Sequence, residues 1–338
     1  MLIPQPRGAL GAAVFPAIRT GSGLPGVRAV APESDEDAAI VLWALYELHY
    51  RGFEDAAPGA DGEPDADLEW DPDLLALRRD LERDLEARLR ARWDARVPEG
   101  ELEDAFFGWV AAHDGASTAA YVHRHATREQ ALELLRLRSV YHLKESDPTA
   151  WTVPRLPTQT KAALMELQYD EYGTGDPNRL HAHLFEAGLA ACGLDPAYGA
   201  YVDEAPLEVL EQNNAMSLMG LHRRLRGAAL GHLAAFEATS SMPSRRMVQG
   251  LTRLELAPEI VAYYEEHVAA DAVHEQLAVR TICGSLVRAE PGLLADVYFG
   301  AFTCLDLEDR LARRLLEQWQ AEPAQEPVRS AQPEGIAS

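Results

Sequence analysis

Between Pro72 and Trp93, leucine recurs at positions 74, 77, 81, 85 and 89, with Arg and Glu filling most of the gaps. An amphipathic helix is what returns to one face at that interval. The same period carries much of the remaining chain. Helices are predicted near 36–53, 99–113, 126–143, 157–172, 177–193, 205–240, 243–254, 257–285 and 290–320. Alternation of apolar and polar residues is rare and β-branched clusters are few, while Ala, Leu, Glu and Arg dominate. The fold class read from this is all-α, a compact helical bundle with extra N-terminal helices.

The punctuation between helices suggests the organisation. Residues 1–34 are rich in Gly, Pro and Ala and read as poorly ordered. Accessory helices are expected over 35–143, interrupted by an acidic loop at 54–73 with Asp-Gly, Glu-Pro and Asp-Pro dipeptides. A core is expected over 144–320 and a disordered tail over 321–338, which is rich in Pro, Gln and Ser. Acidic residues number 54 against 31 basic, a net charge of −23, which argues against nucleic acid or an anionic membrane as a partner. No apolar run approaches the ~20 residues of a membrane span. No secretory signal is evident, and a cytoplasmic location is expected. Cys192, Cys283 and Cys304 are far apart and odd in number, so neither a disulfide framework nor a thiolate metal site is expected.

Four stretches carry polar residues where a core helix prefers apolar ones. The first holds His267, Asp271 and His274, spaced His-x3-Asp-x2-His. At ~100° per residue these fall within about 60° on one helix face. Two imidazoles and a carboxylate suit a borderline divalent metal such as Fe, Mn or Zn. Taken alone, the triplet is as compatible with a solvated, salt-bridged face. Val268, Ala269, Ala270, Ala272 and Val273 between them are small, so a second helix can pack close.

The second stretch runs from Asp170 to His181. Gly173 and Gly175 read as a C-cap and turn, and Asp176-Pro177 as N-cap and first residue of a restarting helix. That interruption lets Glu171 and His181 converge, which ten residues of ideal helix would not. In the third, the small apolar run Gly227–Phe236 reads as a tightly packed buried helix ending at Glu237. Glu237 is then either a helix-end residue in solvent or a buried carboxylate needing a cation. In the fourth, His142–Pro148, the plain reading of Glu145 is surface charge.

Taken together, Asp-Glu-Tyr-Gly-x-Gly-x5-His (Asp170 to His181), Gly-His-Leu-Ala-Ala-Phe-Glu (Gly231 to Glu237) and Glu-His-Val-x-Ala-Asp-Ala-Val-His-Glu (Glu266 to Glu275) resemble the haem-oxygenase-like diiron oxidases and oxygenases, in the branch of iron-containing redox enzymes. The resemblance spans about residues 36–320. It implies a haem-oxygenase-like bundle in which Glu171, His181, Glu237, His267, Asp271 and His274 bind metal. Some members add a carboxylate from before the first core helix, which matches Glu145. Asn178 and Thr174 stand where other members place the first-helix carboxylate, which leaves Glu171. The cofactors implied are two Fe ions, cycling between Fe2+ and Fe3+, with O2 as co-substrate. The implied activity is oxidation of a small organic substrate, such as an amine, amino acid or fatty acid, through a peroxo-diiron(III) intermediate.

The expected partners are a small-molecule substrate and an electron donor, with a homodimer as the expected assembly. The alternative is a non-catalytic metal-binding helical protein. A haem-binding oxygenase fits poorly beside the carboxylate cluster, and a thiaminase-like hydrolase needs a cysteine near a motif. The remaining histidines read as structural, with His232 a candidate neighbour of the ligands. Tyr169, Tyr172, Tyr263 and Tyr264 flank ligands and read as core packing. Arg223, Arg224 and Arg226 read equally as a carboxylate anchor or as surface ion pairs.

Overall fold

The computed structural model describes residues 1–59 and 62–321, without the side chains of residues 269–272. The tail expected to be disordered lies, from Glu322 on, outside the described residues. In chain order the helices are α1 (Ala9–Thr20), α2 (Leu24–Val27), α3 (Asp35–Glu47), α4 (Pro72–Arg92), α5 (Leu102–Ala111), α6 (Thr118–Arg124), α7 (Arg128–His142), α8 (Asp147–Ala150), α9 (Thr158–Glu171), α10 (His181–Ala191), α11 (Leu207–Leu221), α12 (Arg226–Arg253), α13 (Pro258–Gln276), α14 (Gly284–Ala289) and α15 (Leu294–Ala321). Among the described residues there is no strand, only an isolated bridge between Pro58 and Pro64. The fold is all-α, and no described helix is long and apolar enough to cross a membrane.

The leucine stripe forms α4 and is buried along its whole length. Asp71 starts this helix by accepting from the backbone N–H groups of Asp73 and Leu74, with Pro72 at the first helical position. At the centre lies α12, which packs on α6, α13 and α15. Gly231 and Gly300 let α12 and α15 touch backbone to backbone. A Cβ at Gly231 would lie 1.8 Å from the Val297 carbonyl oxygen, and one at Gly300 the same distance from that of Ala228. This is the tight packing read from the small apolar run.

Three expectations are corrected. Residues 1–34 are not poorly ordered: α1 buries Leu10, Val14, Phe15 and Ile18. The fully buried Asp37 carboxylate holds it there, accepting from the N–H groups of Leu10 and Gly11. The helix expected over 205–240 breaks at 222–225, where His222 is extended and Arg223–Leu225 form a 3-10 turn. From Arg226 the chain then runs unbroken through Pro243 to Arg253. The helix expected from 177 starts at His181, because Asp176 caps only a 3-10 turn at Pro177–Arg179. The close packing expected along α13 is supplied by α10 and α12, although Val273 itself is 65% exposed.

A further feature had no sequence signal. After α13 the chain continues without a break into a π-helical turn at Leu277–Cys283, packed on α9 and α12, and then into α14. Such turns are often found at functional sites.

Candidate metal centre

Buried imidazoles and carboxylates from four helices and one loop converge in two groups. Glu145, His181 and His267 form one, and Glu171, Glu237 and His274 the other. In each, one donor atom per residue lies within 4.8 Å of the others. All six residues are buried. Asp271, expected on the same face as His267 and His274, has its side chain outside the described residues.

The local fold explains how each arrives. Glu145 follows α7 in a turn where Ser146 takes a left-handed φ of 71°. Glu171 ends α9, and the chain then reverses through Gly173, Thr174 and Gly175, all at positive φ. A Cβ on Gly173 would lie 2.6 Å from the Leu180 nitrogen, so only glycine lets the strands of this turn close. That reversal brings His181 back beside Glu171, Nδ1 to Oε2 3.1 Å. The other oxygen of Glu171 faces the second group, Oε1 to His274 Nδ1 3.5 Å. One carboxylate thus presents an oxygen to each group. Glu237 Oε2 lies 3.6 Å from the same His274 nitrogen.

Around these six, other side chains set orientation. His267 Nδ1 donates to the Tyr263 carbonyl at 2.8 Å. Its Nε2 is left buried, without a hydrogen bond, 3.6 Å from Glu145 Oε1. His274 Nε2 donates to Asp170 Oδ2 at 2.8 Å, so Nδ1 is the nitrogen that faces Glu171 and Glu237. A ligand histidine whose other N–H is held by a carboxylate or carbonyl is a recurring metal-site device. The Tyr263 hydroxyl lies 2.9 Å from Glu145 Oε2 and 2.7 Å from His142 Nδ1.

Electrostatically the site favours positive charge. Burial alone lowers the His267 and His274 pKa values. For His267, Glu145 and Glu171 overrule it and hold the ring at about 10. For His274, Glu237 and Glu171 hold it at about 9. His181 is likewise raised against its burial by Glu171. Burial would raise Glu145, but His142 and His267 bring it well below the usual carboxylate range. Protons on these imidazoles occupy the place of a cation. Oxygen and imidazole donors, with a buried Nε2 lacking a partner, fit a borderline metal such as iron.

Comparison with known proteins agrees with this chemistry. Residues 132–309, more than half of the chain, match the sequence profile of the iron-containing redox enzymes. The chain belongs to that family. No curated protein matches it. The matched span includes all six converging residues, and the accessory helices up to α6 precede it. This iron-containing redox enzyme therefore carries its His and carboxylate clusters within its family region.

Asp170, His142 and the hydroxyl of Tyr263 were not read as part of the site. Asp170 was legible in principle, being next to Glu171, but a helix of unknown packing does not say which of two adjacent carboxylates points inward. His232 is buried beside the centre, with Nε2 lacking a hydrogen bond, and burial lowers its pKa to about 4, so it is neutral. Tyr169 is 58% exposed, so it is not the core packing expected of it. Arg224 and Arg226 are ion-paired to Glu86 and Glu290, which is the surface-pair reading.

Proposed function

We propose that this iron-containing redox enzyme is an O2-activating nonhaem diiron oxidase or oxygenase acting on a small organic substrate. The reading is carried by Glu171, whose two oxygens face two separate histidine-bearing groups. On this reading Glu145, His181 and His267 would hold one iron and Glu237 and His274 the other, with an oxygen of Glu171 available to each. Asp271 is kept as a ligand from the sequence. When bound, two Fe(II) ions supply the two electrons that O2 needs to become an oxidant, with an external donor restoring them.

The chain's own residues do the rest. Asp170 and the Tyr263 carbonyl each hold one imidazole N–H, so the opposite nitrogens are the ones that would give up their protons and meet a metal. Tyr263 and His142 fix the Glu145 carboxylate. Bulky apolar neighbours on α12, Leu233 and Phe236, help limit the space beside the groups to a cavity of ≈ 20 Å³, about enough for one water. Fe(II) loading without air, followed by an O2 pulse, tests the proposal. O2 consumption with a transient visible absorbance is expected. Bound iron without O2 uptake would contradict it and leave a metal-binding protein.

A further inference from the structure

A chamber of ≈ 310 Å³ lies among α6, α7, α12, α15 and the segment leading into α6. That is at the lower end of small-ligand sites. Phe236 lines both this chamber and the small cavity beside the metal groups. His142, on the chamber wall, touches Glu145 at 3.2 Å. One layer of side chains therefore separates the chamber from the centre.

The walls are chiefly apolar, including Leu134, Phe236, Met247, Tyr264 and Leu305. Three charged carboxylate or guanidinium groups reach the lining, and each is already taken. Arg138 grips Glu308 through two parallel bonds, Nη1 to Oε1 and Nη2 to Oε2, the second at 2.7 Å. Asp309 accepts from Arg313 at 2.8 Å and from the Ala116 N–H at 2.7 Å. An ionised ligand group entering here therefore finds no free carboxylate or guanidinium partner without breaking the Arg138–Glu308 fork, and His113 and His142 are the other basic side chains of the lining. Cys304 also lines the chamber, but burial raises its thiol far above the ordinary range, so it offers no thiolate.

We propose that this chamber is the substrate pocket and takes the uncharged, apolar alkyl or aryl body of an organic substrate, presented past Phe236 to the metal groups. The proposal rests on the reading above of the metal centre. Ala116 and Ala119, which lie before the family-matched span, supply part of its wall.

Calorimetric titration of the iron-loaded full chain with n-alkan-1-ols from butanol to decanol tests it, beside n-alkylammonium ions of equal length. Affinity is expected to rise about three- to fourfold per added methylene, then to level off as the chamber fills. Leu305→Trp, which fills the chamber, and Ala116→Trp, at its loop-side wall, are each expected to weaken alkanol binding tenfold or more with iron content unchanged. If Leu305→Trp fails to fold, Ala116→Trp decides. Alkanol affinity that is flat with length, tighter binding of the ammonium ions, or wild-type binding by the folded variants would overturn the proposal. Loss of O2 uptake with these alkanol results intact would instead overturn the diiron reading alone.

Discussion

Lys144 and Glu47 form a buried ion pair, 1% and 0% exposed at the side chain. Glu47 ends α3, among the accessory helices, while Lys144 directly precedes Glu145. The pair therefore ties a helix outside the family-matched span to the turn that positions one of the metal groups. Lys144→Met keeps an unbranched side chain one atom shorter and removes its charge. Glu47 would then stay buried with the Tyr198 hydroxyl, at 2.6 Å, as its remaining side-chain partner. Breaking one half of a buried pair costs about 3–5 kcal/mol. At roughly 2–4 °C per kcal/mol for larger domains, the melting midpoint should fall by about 6–20 °C. Adding Glu47→Leu should recover part of that loss, since no lone charge remains. Thermal and denaturant unfolding of the two variants and the wild type measures this. A Lys144→Met midpoint within 2 °C of wild type, or a double variant as unstable as the sum of the singles, would refute the reasoning.

Asp170→Asn should weaken iron binding roughly 10- to 100-fold while leaving helicity unchanged, because it removes the charge that holds the His274 N–H; competition with a chelator measures it. Burial alone would raise the Glu308 carboxyl, but Arg138 and Gln212 bring it down to about 2. Its folded pKa is below the unfolded value near 4.3, so its stabilisation is complete above that value and is lost as pH falls toward about 2. Glu308→Gln should therefore flatten the acid limb of a stability–pH curve between about pH 4.5 and 2; an unchanged limb would contradict it. Gly300→Ala should destabilise by about 1–3 kcal/mol or more, because the added methyl meets the Ala228 carbonyl at the α12–α15 crossing. A neutral effect in denaturant unfolding would show that the two helices move apart freely.

Period and composition carried the fold class, because a leucine at every third or fourth residue leaves few alternatives to a helix. They could not carry helix joints that depend on partners. The break at His222 has no proline or glycine within it, and Pro243 sits inside a helix that continues past it. The order in α1 depends on Asp37, 27 residues away from Leu10, whose carboxylate supplies what glycine-rich sequence lacks. At the site, the residues named from sequence were the ones that converge, Asp271 apart, whose side chain is undescribed. Their division into two groups was hidden. His267 and His274 share a helix face yet serve different groups, because two turns of helix separate them by about 10 Å. Residues that act through another residue, such as Asp170 and Tyr263, have no spacing rule and became visible only with the tertiary structure.

Iron content decides the central claim most directly. Wild type, His267→Ala and His274→Ala are loaded with Fe(II) without air, desalted and analysed for iron per chain, with circular dichroism confirming their folding. Two groups sharing Glu171 predict about two irons in the wild type and one or fewer in each variant. One iron or none in the wild type, or two retained in both variants, would contradict the account.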